Sequence, residues 1–370
     1  MKTKFINTLL VLITIIAGFL ALEGSYRLYK IVRYGMANYA DMVTVGAFER
    51  DQLYGLIPKK QFNSESIPSK IRFSNNVAGF DKLFTFNSLG YRGKEFSVSK
   101  DRNTYRIMTF GGSTTMLSNN SDLNTWSFKL GQMFQHDATQ LCGAKNVEVI
   151  NAGVGGWKSR EGLLRFQLEV RHFEPDLILV AFNWNDVHYG LEGFDPDEPI
   201  LNKKRWWLYS AVLQNLQIKY LRFRNRSVSW CKSKIKNIQR DKYWARKFEQ
   251  NILEMQDIAS DINARIMLVN LPGLCRKEAD ALEKELIFNK TRVNASNFPY
   301  WVKLKKFVSN MFNDLDREHG MQVVDVHSCF NKFSGLRRVV LFIDEMHFSE
   351  EGSEGVAKCI YSSLNSDLMK

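Results

Sequence analysis

Five short apolar runs, each followed by a turn and then by residues at helical spacing, limit the architectures open to this chain. Residues 105–110, 147–150, 177–182, 265–270 and 322–326 read as strands. The third, Leu177-Ile178-Leu179-Val180-Ala181-Phe182, is apolar at every position, as strands covered on both faces are. Residues 126–134, 159–171, 243–261 and 301–318 carry apolar side chains at helical spacing. Leu163, Leu164 and Phe166 are expected to face inward. A last helix is expected from about Ser349, which suits an N-cap, with Glu350 and Glu351 in its first turn. Strands alternating with helices predict right-handed crossovers and a parallel five-stranded sheet of the α/β class. In such sheets ligands gather beyond the carboxyl ends of the strands.

Motifs with chemical content fall at those ends. Gly111-Gly112-Ser113-Thr114 follows the first strand, Asn151-Ala152-Gly153-Val154-Gly155-Gly156 the second and Asn183-Trp184-Asn185-Asp186 the third. Asp344-Glu345-Met346-His347 lies beyond the fifth, just before the last helix. Two glycines ahead of Ser113 are expected to permit a sharp turn that exposes its hydroxyl and its N–H. Six histidines are candidates for its base: His136, His172, His188, His319, His327 and His347. Asp344 precedes His347 by three residues, close enough to fold back on one ring nitrogen and leave the other for the serine proton. His327 is the rival, expected in strand register with Asp325 and so a less obvious dyad. Asn185 offers a side-chain amide and Gly156 an unhindered N–H to a developing oxyanion. Taken alone, Gly-Gly-Ser-Thr is more often an ordinary turn, and the Asn183–Asp186 stretch an Asx-rich turn capping a helix.

In order and spacing the motifs resemble blocks I, II, III and V of the SGNH hydrolases, the GDSL-like esterase and lipase superfamily, over roughly residues 85–365. The resemblance implies a three-layer α/β/α sandwich, flavodoxin-like. It implies Ser113 as nucleophile, His347 as base and Asp344 as its partner. Ser113, Gly156 and Asn185 would form the oxyanion hole, with no metal or organic cofactor. The chain departs from the pattern twice: no aspartate separates Gly112 from Ser113, and Asn183 stands where a glycine is usual. The stretch from Asn87 to Arg92 is similar to membrane-anchored bacterial members, some of which act on acylated cell-surface polysaccharides.

Residues 5–22 are uncharged and mostly apolar. As a helix they would reach roughly 27 Å, one hydrocarbon core. Without an A-x-A pattern or a lipobox cysteine, they read as an uncleaved signal anchor, with the N-terminus inside and the catalytic body outside the cytoplasm. The expected organisation is an anchor and juxtamembrane segment at 1–34, an N-terminal extension at 35–100 and a hydrolase domain at 101–370. The net charge of +12 is local: residues 203–247 hold 14 Lys or Arg and one acid, Asp241. Aromatic residues interleave with these charges in an insert at about 191–247. That composition suits a membrane interface, an anionic glycan or a solvated face, and nucleic acid least. Five scattered cysteines lack metal-type spacing and leave room for one unassigned disulfide. The reading is an anchored esterase that removes acyl groups, O-acetyl above all, from a carbohydrate, with an acylated lipid or a thioester as the less favoured substrate. An O-acyltransferase on the same residues and a catalytically silent envelope scaffold are the alternatives.

Overall fold

Strands without polar alternation need cover on both faces, and here they have it. The computed structural model describes residues 2–34, 46–67, 83–136, 144–191, 194–199 and 243–368, with isolated positions between 210 and 216. A hairpin, β1 (Phe48–Asp51) and β2 (Gly55–Pro58), precedes the main sheet. The sheet is built from β3 (Thr104–Gly111), β4 (Asn146–Asn151), β5 (Leu177–Ala181), β6 (Arg265–Val269) and β7 (Val323–Val324). Its order is β4-β3-β5-β6-β7, with every pair parallel. The connections leave β3 in opposite directions, so the switch point lies between the carboxyl ends of β3 and β5.

Alternate strand residues feed two cores. Met108, Phe110, Ile178, Val180 and Leu268 pack with helices Ser159–Glu169, Tyr243–Asp261 and Phe298–His319. Ile107, Leu177, Leu179, Met267 and Val269 pack with helices Trp126–His136, Ala281–Lys290 and Glu350–Leu368. The result is the expected three-layer sandwich. Leu163 and Phe166 are buried as expected, and Leu164 is half-buried. Ser349 caps the last helix by accepting from the Gly352 N–H at 3.0 Å. Residues Ala47, Phe48, Phe62, Phe84, Phe86 and Tyr91, ahead of the sheet, join the first core.

Three details differ from the sequence expectation. Helix Ala281–Lys290 was not expected; Asp280 caps it by accepting from the Glu283 N–H. The helix expected at 301–318 starts earlier, at Phe298, with Pro299 in its first turn. Strand β7 is two residues long, because Asp325 turns the chain by accepting from the Ser328 N–H and so caps helix Val326–Phe330. The register argument for Asp325 and His327 therefore fails: neither lies in a strand.

Helix Lys2–Tyr34 contains one stretch, Ile6–Tyr29, long and apolar enough to cross a membrane. Glu23 pairs with Arg27 on this helix and accepts from Ser210 Oγ at 2.7 Å and the Val212 N–H at 3.1 Å. Most of the basic insert lies outside the described residues. Cys329 and Cys359 form a disulfide across 30 residues, and Cys275 is free and buried. Cys142 and Cys231 lie outside the described residues.

Candidate active site

The site begins where β3 ends. Helix Ser113–Met116 starts at once, with the Thr115 and Met116 N–H groups donating to the Gly112 carbonyl, and Leu117 ends it at φ 50°. The glycines are needed here, for a reason other than the turn. Gly112 has φ −86° and ψ −147°, outside the left-handed region. A Cβ on Gly111 would fall 2.1 Å from Thr115 Oγ1, and one on Gly112 2.7 Å from Asn185 Nδ2 and 3.3 Å from the Trp157 carbonyl oxygen. Close approach, rather than left-handed backbone, excludes a side chain at either position.

The loop after β4 is stitched to the Ser113 turn. Asn151 donates through Nδ2 to the Thr115 carbonyl at 2.9 Å and accepts from the Gly153 N–H at 2.9 Å. Gly156 takes φ +85°, where glycine is favoured. Among the described residues, the N–H groups of Ser113 and Gly156 have no internal hydrogen-bond acceptor. After β5, Asn185 Nδ2 donates to the Trp157 carbonyl at 2.8 Å, which leaves its second amide hydrogen for a ligand. Asn183 has φ +151° and is buried, and its Oδ1 has no hydrogen-bond partner among the described residues. The position that departs from the resembled pattern is therefore one where the backbone favours glycine.

The fourth motif supplies the imidazole. Asp344 Oδ1 accepts from the N–H groups of Met346 and His347, each at 2.9 Å, which closes the loop on itself. Asp344 Oδ2 lies 2.8 Å from His347 Nδ1, and His347 Nε2 lies 2.8 Å from Ser113 Oγ, 234 residues away in sequence. Two asparagines hold these distant segments together. Asn119 Nδ2 donates to the Phe348 carbonyl at 3.1 Å, and Asn120 Nδ2 to Ser353 Oγ at 2.8 Å. Buried Arg92 supports them by donating to the Asn120 carbonyl at 2.7 Å and pairing with Asp122.

Burial opposes charge on both members of the His–Asp pair, and their mutual attraction outweighs it. Burial alone would lower the His347 pKa, but the Asp344 charge and hydrogen bond raise it above the ordinary value. Burial alone would raise the Asp344 carboxyl, but His347 and two backbone N–H groups bring it down to about 2. Such a relay lets a serine hydroxyl surrender its proton as it attacks an acyl carbon. His327 has a different environment: burial first, then Lys305, lowers its pKa to about 3, and its Nδ1 is buried without a partner among the described residues.

The residues matched by the family model of the GDSL-like lipase/acylhydrolase family are 109–354, more than half of the chain. The chain belongs to this family. It is a serine hydrolase acting on esters. A relative from Bacillus subtilis (strain 168), the uncharacterized lipoprotein YqeF, is 29% identical over 102 residues, 27% of this chain and 38% of its own length. The chain thus spans well under half of that relative. Solved structures with similar folds include the acetyl xylan esterase AlAXEase (17% identity, TM-score 0.42, covering 70% of this chain and 99% of that one). Another is a catalytic mutant of Axe2, an acetylxylan esterase from Geobacillus stearothermophilus (14%, TM-score 0.43, 70% and 94%). A third is a GDSL-like lipase from Bacteroides thetaiotaomicron (12%, TM-score 0.40, 74% and 93%).

Two supporting side chains went unassigned in the sequence reading. Asp186 is buried, and its Oδ1 accepts from Ser159 Oγ at 2.6 Å and the Ser159 N–H at 2.9 Å, tying helix Trp184–Leu191 to the start of helix Ser159–Glu169. Burial raises its carboxyl to about 6. Lys158 is buried too, and its Nζ donates to the carbonyls of Asp195, Pro196 and Glu198 at 2.8–3.1 Å. Their one sequence signal was position, beside Trp157 and Asn185. Among the described residues, Glu249, Glu318 and His319 could offer three ligand atoms to a metal. They lie on helices Tyr243–Asp261 and Phe298–His319, where His319 Nε2 is 3.0 Å from Glu249.

Proposed function

We propose that Ser113 is the nucleophile of this esterase, His347 its base, and Asp344 the carboxylate that orients and charges His347. The observation that carries this reading is the unbroken relay of two 2.8 Å contacts from Asp344 through His347 to Ser113. Ser113 Oγ attacks the ester carbonyl carbon and passes its proton to His347 Nε2. The carbonyl oxygen becomes an oxyanion, met by the N–H groups of Ser113 and Gly156 and the Asn185 amide. The C–O bond to the alcohol breaks, and His347 returns the proton to the leaving oxygen. Water then repeats the sequence on the acyl-enzyme and frees Ser113.

The acyl group is small, acetyl in the first instance. The recess beside Ser113, closed by Trp157, Asn183 and Trp184, is about 10 Å³, room for one water-sized group. The alcohol is a sugar hydroxyl of a glycan outside the cytoplasm. The N-terminal apolar helix serves as the anchor, and the Cys329–Cys359 disulfide suits an oxidising compartment. The test is labelling of the full chain by a fluorophosphonate, followed by turnover of a panel of acetylated sugars. The expected result is labelling abolished by Ser113→Ala and suppressed by His347→Ala. Labelling that persists in Ser113→Ala refutes the assignment of the nucleophile.

A further inference from the structure

An exposed apolar ridge runs up to the loop that carries Asp344 and His347. Helix Gly335–Val339 buries Arg338 and Val339 and turns Leu336, Arg337 and Val340 outward. The Val340 N–H donates to the Leu336 carbonyl at 3.0 Å, so these two lie one helical turn apart on one face. Leu336 is 62% exposed, Val340 37% and the following Ile343 40%. The Ile343 N–H donates to the His347 carbonyl at 2.8 Å, which places that end of the ridge on the catalytic loop. At the other end the Gly335 N–H donates to Glu283 Oε2 at 2.9 Å, next in sequence to Leu282, which is 60% exposed. The segment is firmly held. Val339, Leu341 and Phe342 are buried, and Arg338 donates to the carbonyls of Gly273, Leu274 and Phe330. The apolar side chains are therefore presented to the outside by a fixed backbone.

The charges beside the ridge select what covers it. In residues 281–292 and 332–343 the exposed cations are Lys290, Arg292, Lys332 and Arg337, against one exposed acid, Glu285. Glu283 and Arg338 are buried together and add no charge outside. Glu351 of the last helix lies within reach of the Lys290 charge and leaves the other three cations unmatched on these segments. A second copy of this face would set the same cations against one another. Anionic phospholipid headgroups would instead pair with them while the ridge enters the acyl boundary, the pattern of interfacial helices rich in Lys and Arg. Such a surface is within reach of the domain. Helix Lys2–Tyr34 carries the membrane-length stretch Ile6–Tyr29. Residues 35–45, which join that helix to the hydrolase, can span at most about 40 Å.

We propose that the Leu336–Val340–Ile343 ridge, with Leu282 at its end, docks on the anionic bilayer that holds the N-terminal helix, so that the Asp344–His347 loop works at headgroup level. The proposal rests on the reading of the N-terminal helix as an anchor. It does not depend on the assignment of Ser113.

The experiment places the full chain in vesicles of phosphatidylcholine and phosphatidylglycerol, with or without brominated acyl chains, which quench tryptophan on contact. Leu336→Trp reports on the ridge. Leu168→Trp is the control, since Leu168 is 55% exposed on a helix that covers the opposite face of the sheet. At the roughly 5–10 Å depth of an interfacial apolar face, the emission that Leu336→Trp adds to the wild-type spectrum should fall by about half or more, and that of Leu168→Trp by little. Lys332→Glu with Arg337→Glu, or phosphatidylcholine alone, should weaken the quenching by about fivefold for each cation lost. Thermal unfolding of each variant in detergent checks that it folds. Equal quenching at the two positions overturns the proposal, and so does quenching that survives both the charge reversal and the neutral lipid. If the emission of Leu336→Trp escapes the brominated lipid and is also shielded from iodide in water, a second copy or another protein covers the ridge, and the proposal fails. A wild-type chain that does not float with the vesicles refutes the anchor reading itself, a result distinct from a floating chain without quenching.

Discussion

Replacing Gly112 by alanine puts a methyl group in place of a hydrogen at a crowded point of the site. The new Cβ would lie 2.7 Å from Asn185 Nδ2 and 3.3 Å from the Trp157 carbonyl oxygen. Non-bonded heavy atoms settle near about 3.5 Å, so the amide must retreat by most of an ångström. Its 2.8 Å bond to the Trp157 carbonyl is broken or turned in the process. No left-handed backbone is involved, since φ is −86°. The stability cost is that of a local overpacking, about 1–3 kcal/mol. The catalytic cost is that of one misplaced oxyanion donor, about 10²- to 10³-fold in kcat. Steady-state kinetics on vinyl acetate measure this, with Asn185→Ala and the double variant alongside. Because Gly112 acts through Asn185, Gly112→Ala in the Asn185→Ala background should cost little more than Asn185→Ala alone. A Gly112→Ala kcat within about threefold of wild type, or losses that multiply in the double variant, would refute the reasoning.

Asp344→Asn should cut kcat by roughly 10³-fold or more, because the imidazolium loses its counter-charge. The base must be neutral, so kcat/KM of the wild type should rise with pH through a midpoint above the ordinary histidine value of 6.5; in Asp344→Asn that midpoint should move to lower pH. A pH–rate profile checks both statements. Asn183→Gly should raise the unfolding free energy by about 1 kcal/mol or more in urea melts, since it relieves a φ of +151° and removes a buried oxygen without a partner. The same change should widen the recess beside Ser113 and admit propionyl and butyryl esters, measured as kcat/KM across vinyl esters. Reducing the Cys329–Cys359 disulfide should lower stability by about 2–4 kcal/mol. The 30-residue loop it closes contains Asp344 and His347, so fluorophosphonate labelling should also lose thermal resistance.

The sheet was legible because its strands are fully apolar and its helices amphipathic, and both patterns are local. Strand ends were less legible. Asp325 draws the chain into a helical cap, an effect of one side chain on one N–H that apolar patterning does not carry. Helix Ala281–Lys290 has a weak apolar stripe, with Ile287 fully buried, and is set by its Asp280 cap and its packing. The need for glycine at 111 and 112 was visible, but its cause was not. It comes from Thr115 one turn away and from Asn185 on another strand loop.

From the sequence alone follow the α/β class, the order of elements and the motifs at the carboxyl ends of strands. These depend on residue type and short spacing, which a chain carries before it folds. Only the tertiary structure decided what meets what. It brought His347 Nε2 to 2.8 Å from Ser113 Oγ across 234 residues, through the asparagine ties at Asn119 and Asn120. It set Asp186 on Ser159 and Lys158 on the carbonyls of Asp195, Pro196 and Glu198. It also laid the β1–β2 hairpin on Trp157, so that residues outside the family-matched segment wall a cavity at Gly156. Such contacts depend on the parallel sheet order and on the packing of separate segments, which no local pattern encodes.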